Sequence, residues 1–351
     1  MMTDHIPSAA LAAFQAGGVI PAHPLALTAE RKLDEARQIA LSRYYLDAGV
    51  TGMAVGVHTT QFEIRDHGLF RPVLEMAAEQ AREWSDTPRF MIAGAVGDTA
   101  QAVREAQVAR DLGYHAVLLS LAGREGTDAE LIAHCREVSQ VLPLIGFYLQ
   151  TSMGGPVLSE AFWRGFAEID NVVGIKMAPF DRYRTIDVVR AVVAAGREEE
   201  ITLYTGNDDH IVADLLTPFE VMRGGKPVTV RIKGGLLGHW AVWTRAAVLM
   251  MERLKALDPA APIDPAWLAL DARTTDANSA FFDAANGYQG VIAGIHEVLH
   301  RQGLLAGTWC LNPAEAMGPG QGEKISRVYA DYPDLNDDAF IRENLPRWLS
   351  P

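Results

Sequence analysis

One lysine closes a short apolar run, Val172-Val173-Gly174-Ile175-Lys176. A run of that length suits a buried strand, and an ammonium is seldom taken fully out of water. Desolvation disfavours the charged form. An amine at the end of such a strand is therefore pushed toward the neutral nucleophile that attacks a ketone carbonyl, and Schiff-base chemistry opens near neutral pH. A snorkelling lysine, with its stem on apolar surface and its head in water, fits the same stretch.

Other residues offer chemistry with less force. Gly206-Asn207-Asp208-Asp209-His210 combines carboxylates with an imidazole, as a metal site does. A loop capping the next helix, with Asp208 or Asp209 as N-cap, explains it more simply, and no second spaced cluster accompanies it, so no metal is expected. Lys233 is a rival amine, flanked by Arg231 and by Gly234 and Gly235, which favour anion contact or exposure. His239 and Trp240 would either close one side of a pocket or pack the following helix. Gly234-Gly235-Leu236-Leu237-Gly238 lacks the spacing of a dinucleotide loop. No Ser-His-Asp arrangement can be assembled.

The elements that must position these groups repeat regularly. Eight short apolar or β-branched runs are readable at 18–22, 52–57, 90–95, 116–120, 144–148, 172–176, 201–205 and 228–232. Between them lie helical patterns at 29–48, 68–84, 99–112, 128–141 and 186–195, with apolar residues three and four apart. Eight alternations favour a closed barrel over an open sheet, and such barrels build their sites at the C-terminal ends of the strands. Lys176 and Tyr148 both stand at such ends. After a last barrel helix at 240–257 the pattern turns helical, at 276–285 and 290–302, with a Gly- and Pro-rich loop at 312–322. An acidic, proline-punctuated stretch at 331–351 suits an extra helix across the surface.

Composition narrows the partners. The 351 residues carry 31 Lys and Arg against 44 Asp and Glu, a formal charge of −13, which argues against nucleic acid or an anionic membrane surface. One local positive site for an anionic substrate remains compatible with that charge. No stretch reaches the roughly 20 apolar residues of a membrane span. Residues 1–15 lack the basic start and long apolar run of a signal peptide. Cys135 and Cys310, far apart and without metal-type spacing, suit two free thiols in a reducing, cytoplasmic compartment.

Gly146-Phe147-Tyr148 ending one strand and Val173-Gly174-Ile175-Lys176 ending the next resemble the dihydrodipicolinate synthase and N-acetylneuraminate lyase superfamily. Gly18-Val19-Ile20-Pro21-Ala22, Ile92-Ala93-Gly94-Ala95-Val96 and Tyr204-Thr205-Gly206-Asn207-Asp208-Asp209 fall in the same order, and the likeness runs over roughly 17–313. The resemblance implies that Lys176 condenses with the keto group of pyruvate or another 2-oxo acid, while Tyr148 shuttles protons as a phenol in reach of the amine. A buried aromatic whose hydroxyl bonds to a loop backbone is the plainer reading of Tyr148.

Departures from the family pattern are concentrated around the substrate. Where the family carries a Gly-Thr-Thr-Gly-Glu type loop for the substrate carboxylate, this chain has Gly56-Val57-His58-Thr59-Thr60-Gln61. One alignment puts Val57 and His58 at the hydroxyl positions; a slip of two residues puts Thr59 and Thr60 there. His58 fits substrate contact and a supporting or surface position alike. Leu121-Ala122-Gly123-Arg124 lacks the synthases' relay tyrosine, and Met153 lies near the position of their carboxylate-gripping arginine. Both losses point away from dihydrodipicolinate synthesis, and Met153 suits an aldehyde of lower polarity.

The expectation is an α/β chain, a (β/α)8 TIM barrel over 1–257 with a C-terminal helical extension and acidic tail over 258–351. Its expected activity is that of a class I aldolase or lyase acting on a 2-oxo acid, with an aldehyde as the second partner. Lys176 and Tyr148 are the expected catalytic pair, His58, Thr59 and Thr60 hold the carboxylate, and Gly206 lets backbone approach the substrate. No cofactor is called for, because the imine serves as electron sink. The alternatives are a sugar-acid dehydratase of the same family and a non-catalytic barrel that binds a 2-oxo acid. By resemblance the chain forms a homo-oligomer, a dimer or tetramer.

Overall fold

The computed structural model describes residues 6–350. Its strands, in chain order, are β1 (Val19–Pro21), β2 (Gly52–Val55), β3 (Phe90–Ala95), β4 (Ala116–Leu119), β5 (Leu144–Leu149), β6 (Val172–Ala178), β7 (Thr202–Thr205), β8 (Pro218–Arg223), β9 (Lys226–Arg231) and β10 (Gly234–Leu237). Eight of them form one parallel sheet in the order β1-β10-β7-β6-β5-β4-β3-β2. A parallel bridge between Ala22 and Ala54, with His23 N–H on the Ala54 carbonyl at 2.8 Å, joins the two ends. The result is the expected (β/α)8 barrel with C-terminal helices.

Side chains alternate across the barrel wall, as a strand period of two requires. Ile92, Leu118, Ile145, Phe147 and Leu236 fill the interior, while Met91, Val117, Tyr148, Ile175 and Leu203 face the surrounding helices. Several of the helices begin on side-chain caps: Asp34 accepts from Arg37 N–H, Asp98 from Gln101 N–H, and Thr127 with Glu130 forms a capping box.

Seven of the eight expected strands are present within a few residues. The eighth is not where the apolar pattern puts it: 228–232 falls on β9, which pairs antiparallel with β8 in a mostly exposed hairpin. Gly224 and Gly225, at φ +58° and +78°, supply the turn that such a two-residue hairpin needs. The eighth barrel strand is β10, whose Gly-Gly start reads as loop in the sequence. A side chain on Gly234 would collide with the Gly18 backbone and the Tyr204 ring, so close approach of strands dictates glycine there. Lys233 precedes β10, exposed and at the N-terminal end of the barrel, and is no rival for the site.

That N-terminal end is plugged. The helix Ser8–Ala16 sends Phe14 into the barrel floor, where its ring stacks on Phe90 at 4.2 Å and Tyr204 at 4.9 Å, and Tyr204 Oη donates to the Phe14 carbonyl at 2.7 Å. The helices Ala266–Phe281, Val291–Arg301, Gln321–Asp331 and Asp338–Trp348 follow the barrel. The last docks on the helix Glu35–Ala48: Tyr44 Oη donates to Asp337 at 2.7 Å and the buried Trp348 indole N–H to Asp47 at 2.5 Å.

Phe14→Ala is expected to lower the unfolding free energy by about 3–5 kcal/mol, measured by denaturant titration. A loss under about 1 kcal/mol would mean that the floor of the barrel does not depend on this ring.

Candidate active site

Lys176 sits on β6 with Gly174 and Ala178 on the inward face, so its side chain enters the barrel, where it is 7% exposed. Gly206, at the end of β7, makes that possible. A β-carbon there would stand 2.7 Å from Lys176 Cε and 2.8 Å from Ala178 Cβ, so any larger residue would displace the lysine stem. Gly206 thus makes room for the amine, and it also lines the pocket at the amine's end. Its position is fixed by Asn207, whose Oδ1 accepts from Phe180 N–H at 3.0 Å while Nδ2 donates to Asp214 at 3.0 Å and to Thr185 Oγ at 3.2 Å. Asp214 also accepts from Thr205 Oγ and is paired with Arg182.

The pocket around the amine is lined by Val57, His58, Thr59, Phe147, Gln150, Met153, Phe180, Asp208 and Phe282, among others. The Lys176 ammonium lies 4.4 Å from the Phe147 ring centroid. Burial pushes the amine down, and the nearby Asp208 carboxylate partly restores it. Burial pushes Asp208 up in turn, opposed by a hydrogen bond from His239 N–H at 2.8 Å and by the charge of Lys176. His58 is pushed down to about 4 by burial and by Lys176, so its imidazole is neutral at physiological pH.

Tyr148 does not enter this site. In the β5–β6 register Phe147 pairs with Lys176, and Tyr148 pairs with the outward Met177. Its ring lies among the helices against Trp163, and its hydroxyl donates to the Leu158 carbonyl at 3.0 Å. The plainer reading of Tyr148 is the one realised, because a period of two sends neighbouring residues to opposite faces. Phe147 occupies the place opposite the amine, without a hydroxyl.

The loop after β2 divides its two threonines. Thr60 is wholly buried, its hydroxyl accepting from Gly56 N–H and Val57 N–H and donating to the His23 carbonyl at 2.7 Å. Its bonding is spent on the backbone, which removes it from substrate binding. Thr59 lines the pocket and makes no side-chain hydrogen bond to the described residues. The amides of His58 and Thr59 precede the first bond of the short 3₁₀ turn, which Thr60 N–H makes to Val57. Gln150 lines the opposite wall, with Oε1 taken by Ser152.

Asp208 and the apolar residues Phe180, Phe282 and Val291 complete the pocket, and the sequence offered no sure sign of them. Neither Asp208 nor Asp209 caps the next helix, which begins at Ile211 with His210 as N-cap. The burial of Asp208 beside Lys176 follows from the barrel's closure. Phe282 and Val291 arrive from the C-terminal helices, so the segment after the barrel covers one side of its mouth. His239 contributes its backbone, its ring resting against Phe281 and Asn278. Among the described residues no group of three or more His, Cys, Asp or Glu side chains is placed to hold a metal ion, and no helix is long and apolar enough to cross a membrane. Cys135 and Cys310 are both buried and free.

A family model described as the dihydrodipicolinate synthetase family matches residues 15–225, over half the chain. The chain belongs to that family. No curated protein matches it by sequence. Among solved structures, dihydrodipicolinate synthase from Acinetobacter baumannii complexed with pyruvate superposes with a TM-score of 0.74 at 19% identity, covering 90% of this chain and 98% of that one. N-acetylneuraminate lyase from Fusobacterium nucleatum complexed with pyruvate gives 0.71 at 17% identity, covering 91% and 97%. At such identities the likeness is one of fold.

A buried amine with a depressed pKa should react before its exposed counterparts. Labelling with a small acylating reagent, followed by peptide mass spectrometry, is expected to modify Lys176 with a pH midpoint of about 8, since the reactive neutral form gains as pH rises through that value. A midpoint at the ordinary lysine value would show a solvated ammonium.

Proposed function

We propose that the chain is a class I aldolase or lyase whose Lys176 forms a Schiff base with a 2-oxo acid. The observation that carries the reading is an amine held inside a barrel, at its C-terminal end, with its charged form disfavoured by burial. In that state nitrogen attacks the keto carbon, and the protonated imine then draws electrons from the adjacent carbon as a bond to it forms or breaks. The substrate carboxylate would be held by Thr59 Oγ, the first amides of the 58–60 turn and the neutral His58. The absence of arginine from the pocket lining, with Met153, Phe180, Phe282 and Val291 in its outer part, supports an apolar aldehyde as the second partner.

Phe147 opposite the amine is the observation that favours the rival reading, a barrel that binds a 2-oxo acid without turnover, because it supplies no proton. Reaction tests separate the two. Incubation with pyruvate and longer 2-oxo acids in the presence of borohydride is expected to leave a reduced adduct on Lys176, read by peptide mass spectrometry. Lys176→Arg, which keeps charge and loses the nucleophile, should abolish it. Absence of any adduct on the wild-type protein across the panel would sink the Schiff-base reading, and adduct without exchange of the substrate's C3 hydrogens for deuterium would favour the binding protein.

Thr59→Val is expected to raise the 2-oxo acid concentration needed for half-maximal trapping by about 10- to 100-fold, the worth of one hydrogen bond to a charged group. An unchanged concentration dependence would place the carboxylate elsewhere.

A further inference from the structure

The register between β5 and β6 raises a question of proton supply. Schiff-base chemistry needs a group that takes a proton from nitrogen, gives one to the departing oxygen, and later removes one from carbon. Opposite Lys176 stands Phe147, which can do none of this, and Tyr148 is turned away into the helix layer. The groups able to carry a proton in the pocket lining are His58 and Asp208, beside Lys176 itself and the weakly acidic Thr59 and Gln150.

We infer that the Asp208 carboxyl is the proton carrier of this site, replacing a phenol that the strand register does not provide. The inference rests on the Schiff-base reading above. Asp208 lines the amine's own pocket at 5% exposure, reaching it from the loop after β7, two residues beyond the glycine that seats Lys176. Its Oδ1 is held by His239 N–H at 2.8 Å, while its second oxygen makes no hydrogen bond to the described residues. One oxygen is anchored and the other is free to work. The charged and titratable neighbours are Lys176 on β6, His58 on the 58–60 turn and Asp209 beside it, with Arg182 next to Asp209. The His239 ring is turned to Asn278.

The steps balance with one proton shared between the two residues. Starting from the neutral amine and the protonated Asp208, nitrogen attacks the keto carbon, the C–N bond forms and the carbonyl π pair moves to oxygen. Asp208 protonates that oxygen and takes the surplus proton from nitrogen, which leaves a neutral carbinolamine. It then protonates the hydroxyl, the C–O bond breaks, water departs, and the nitrogen lone pair forms the iminium. The pair ends as iminium and carboxylate, each the other's counter-charge in a site with little water. That carboxylate next removes a C3 proton to give the enamine. When the enamine carbon attacks an aldehyde, the new alkoxide takes the same proton back.

His58 is the weaker candidate. A ring held at about 4 is neutral but a poor base at physiological pH, whereas burial lifts Asp208 to about 7, where it both accepts and donates.

The test is the rate of borohydride-trapped adduct formation on Lys176 with pyruvate, by rapid quench across pH, in wild type, Asp208→Asn and His58→Gln. Asparagine can still accept from His239 N–H, so the fold is kept. Asp208→Asn is expected to slow adduct formation by about 10²- to 10⁴-fold, to reach full labelling on long incubation, and to lose the limb of the pH profile near 7. Full final labelling shows that the variant is folded and the amine intact. A second variant, Phe147→Tyr in the Asp208→Asn background, returns a phenol to the position opposite Lys176 and is expected to recover part of the rate. An Asp208→Asn rate within about twofold of wild type with the limb retained overturns the proposal, as does loss of that limb in His58→Gln alone. Should wild type itself form no adduct, the Schiff-base reading fails and takes this inference with it.

Discussion

Removal of one ammonium from water is the constraint on which the site depends. Lys176 would hold its proton firmly at a surface. Inside the barrel it faces Phe147 and Ala178 and lies beside a single buried carboxylate, which offsets only part of the lost hydration. The opposite shifts of Lys176 and Asp208 have one physical origin. Both charged forms are disfavoured by the same dry surroundings, and each is favoured by the other.

Keeping the amine there places demands on the backbone around it. Gly206 must have no side chain, and the chain bearing it must not drift. The Asn207, Asp214, Thr205 and Arg182 network ties the end of β7 to the turn after β6, which Phe180 enters with φ +51°. A non-glycine residue at positive φ costs energy that only a well-determined surrounding sustains. The residues that appear in the sequence as a metal-like or capping cluster therefore serve two purposes, Asn207 in bracing the strands and Asp208 in facing the amine.

Much of the barrel was legible from the alternation of apolar runs and helical spacing, because parallel strands buried on both faces are nearly continuously apolar. The same property hid the register. Gly146-Phe147-Tyr148 is buried throughout, so no polarity pattern tells which aromatic faces inward, and the choice of the tyrosine rests on the family resemblance alone. β10 was hidden for a different reason: its glycines answer to the nearness of Gly18 and Tyr204, a tertiary fact with no local signal. The run 228–232 looks more like a barrel strand than the real one because its β-branched residues suit any strand, and those of β9 belong to a hairpin. In the 58–60 turn the residue types were readable, but only the fold separates Thr59, which borders the cavity, from Thr60, whose hydroxyl fastens the turn to His23.

Phe282 and Val291 belong to a stretch made after every strand of the barrel, yet they form part of the wall around the amine. The dryness that disfavours the ammonium is therefore set in part outside the barrel, so a change confined to the C-terminal helices alters the surroundings of Lys176 without touching a strand.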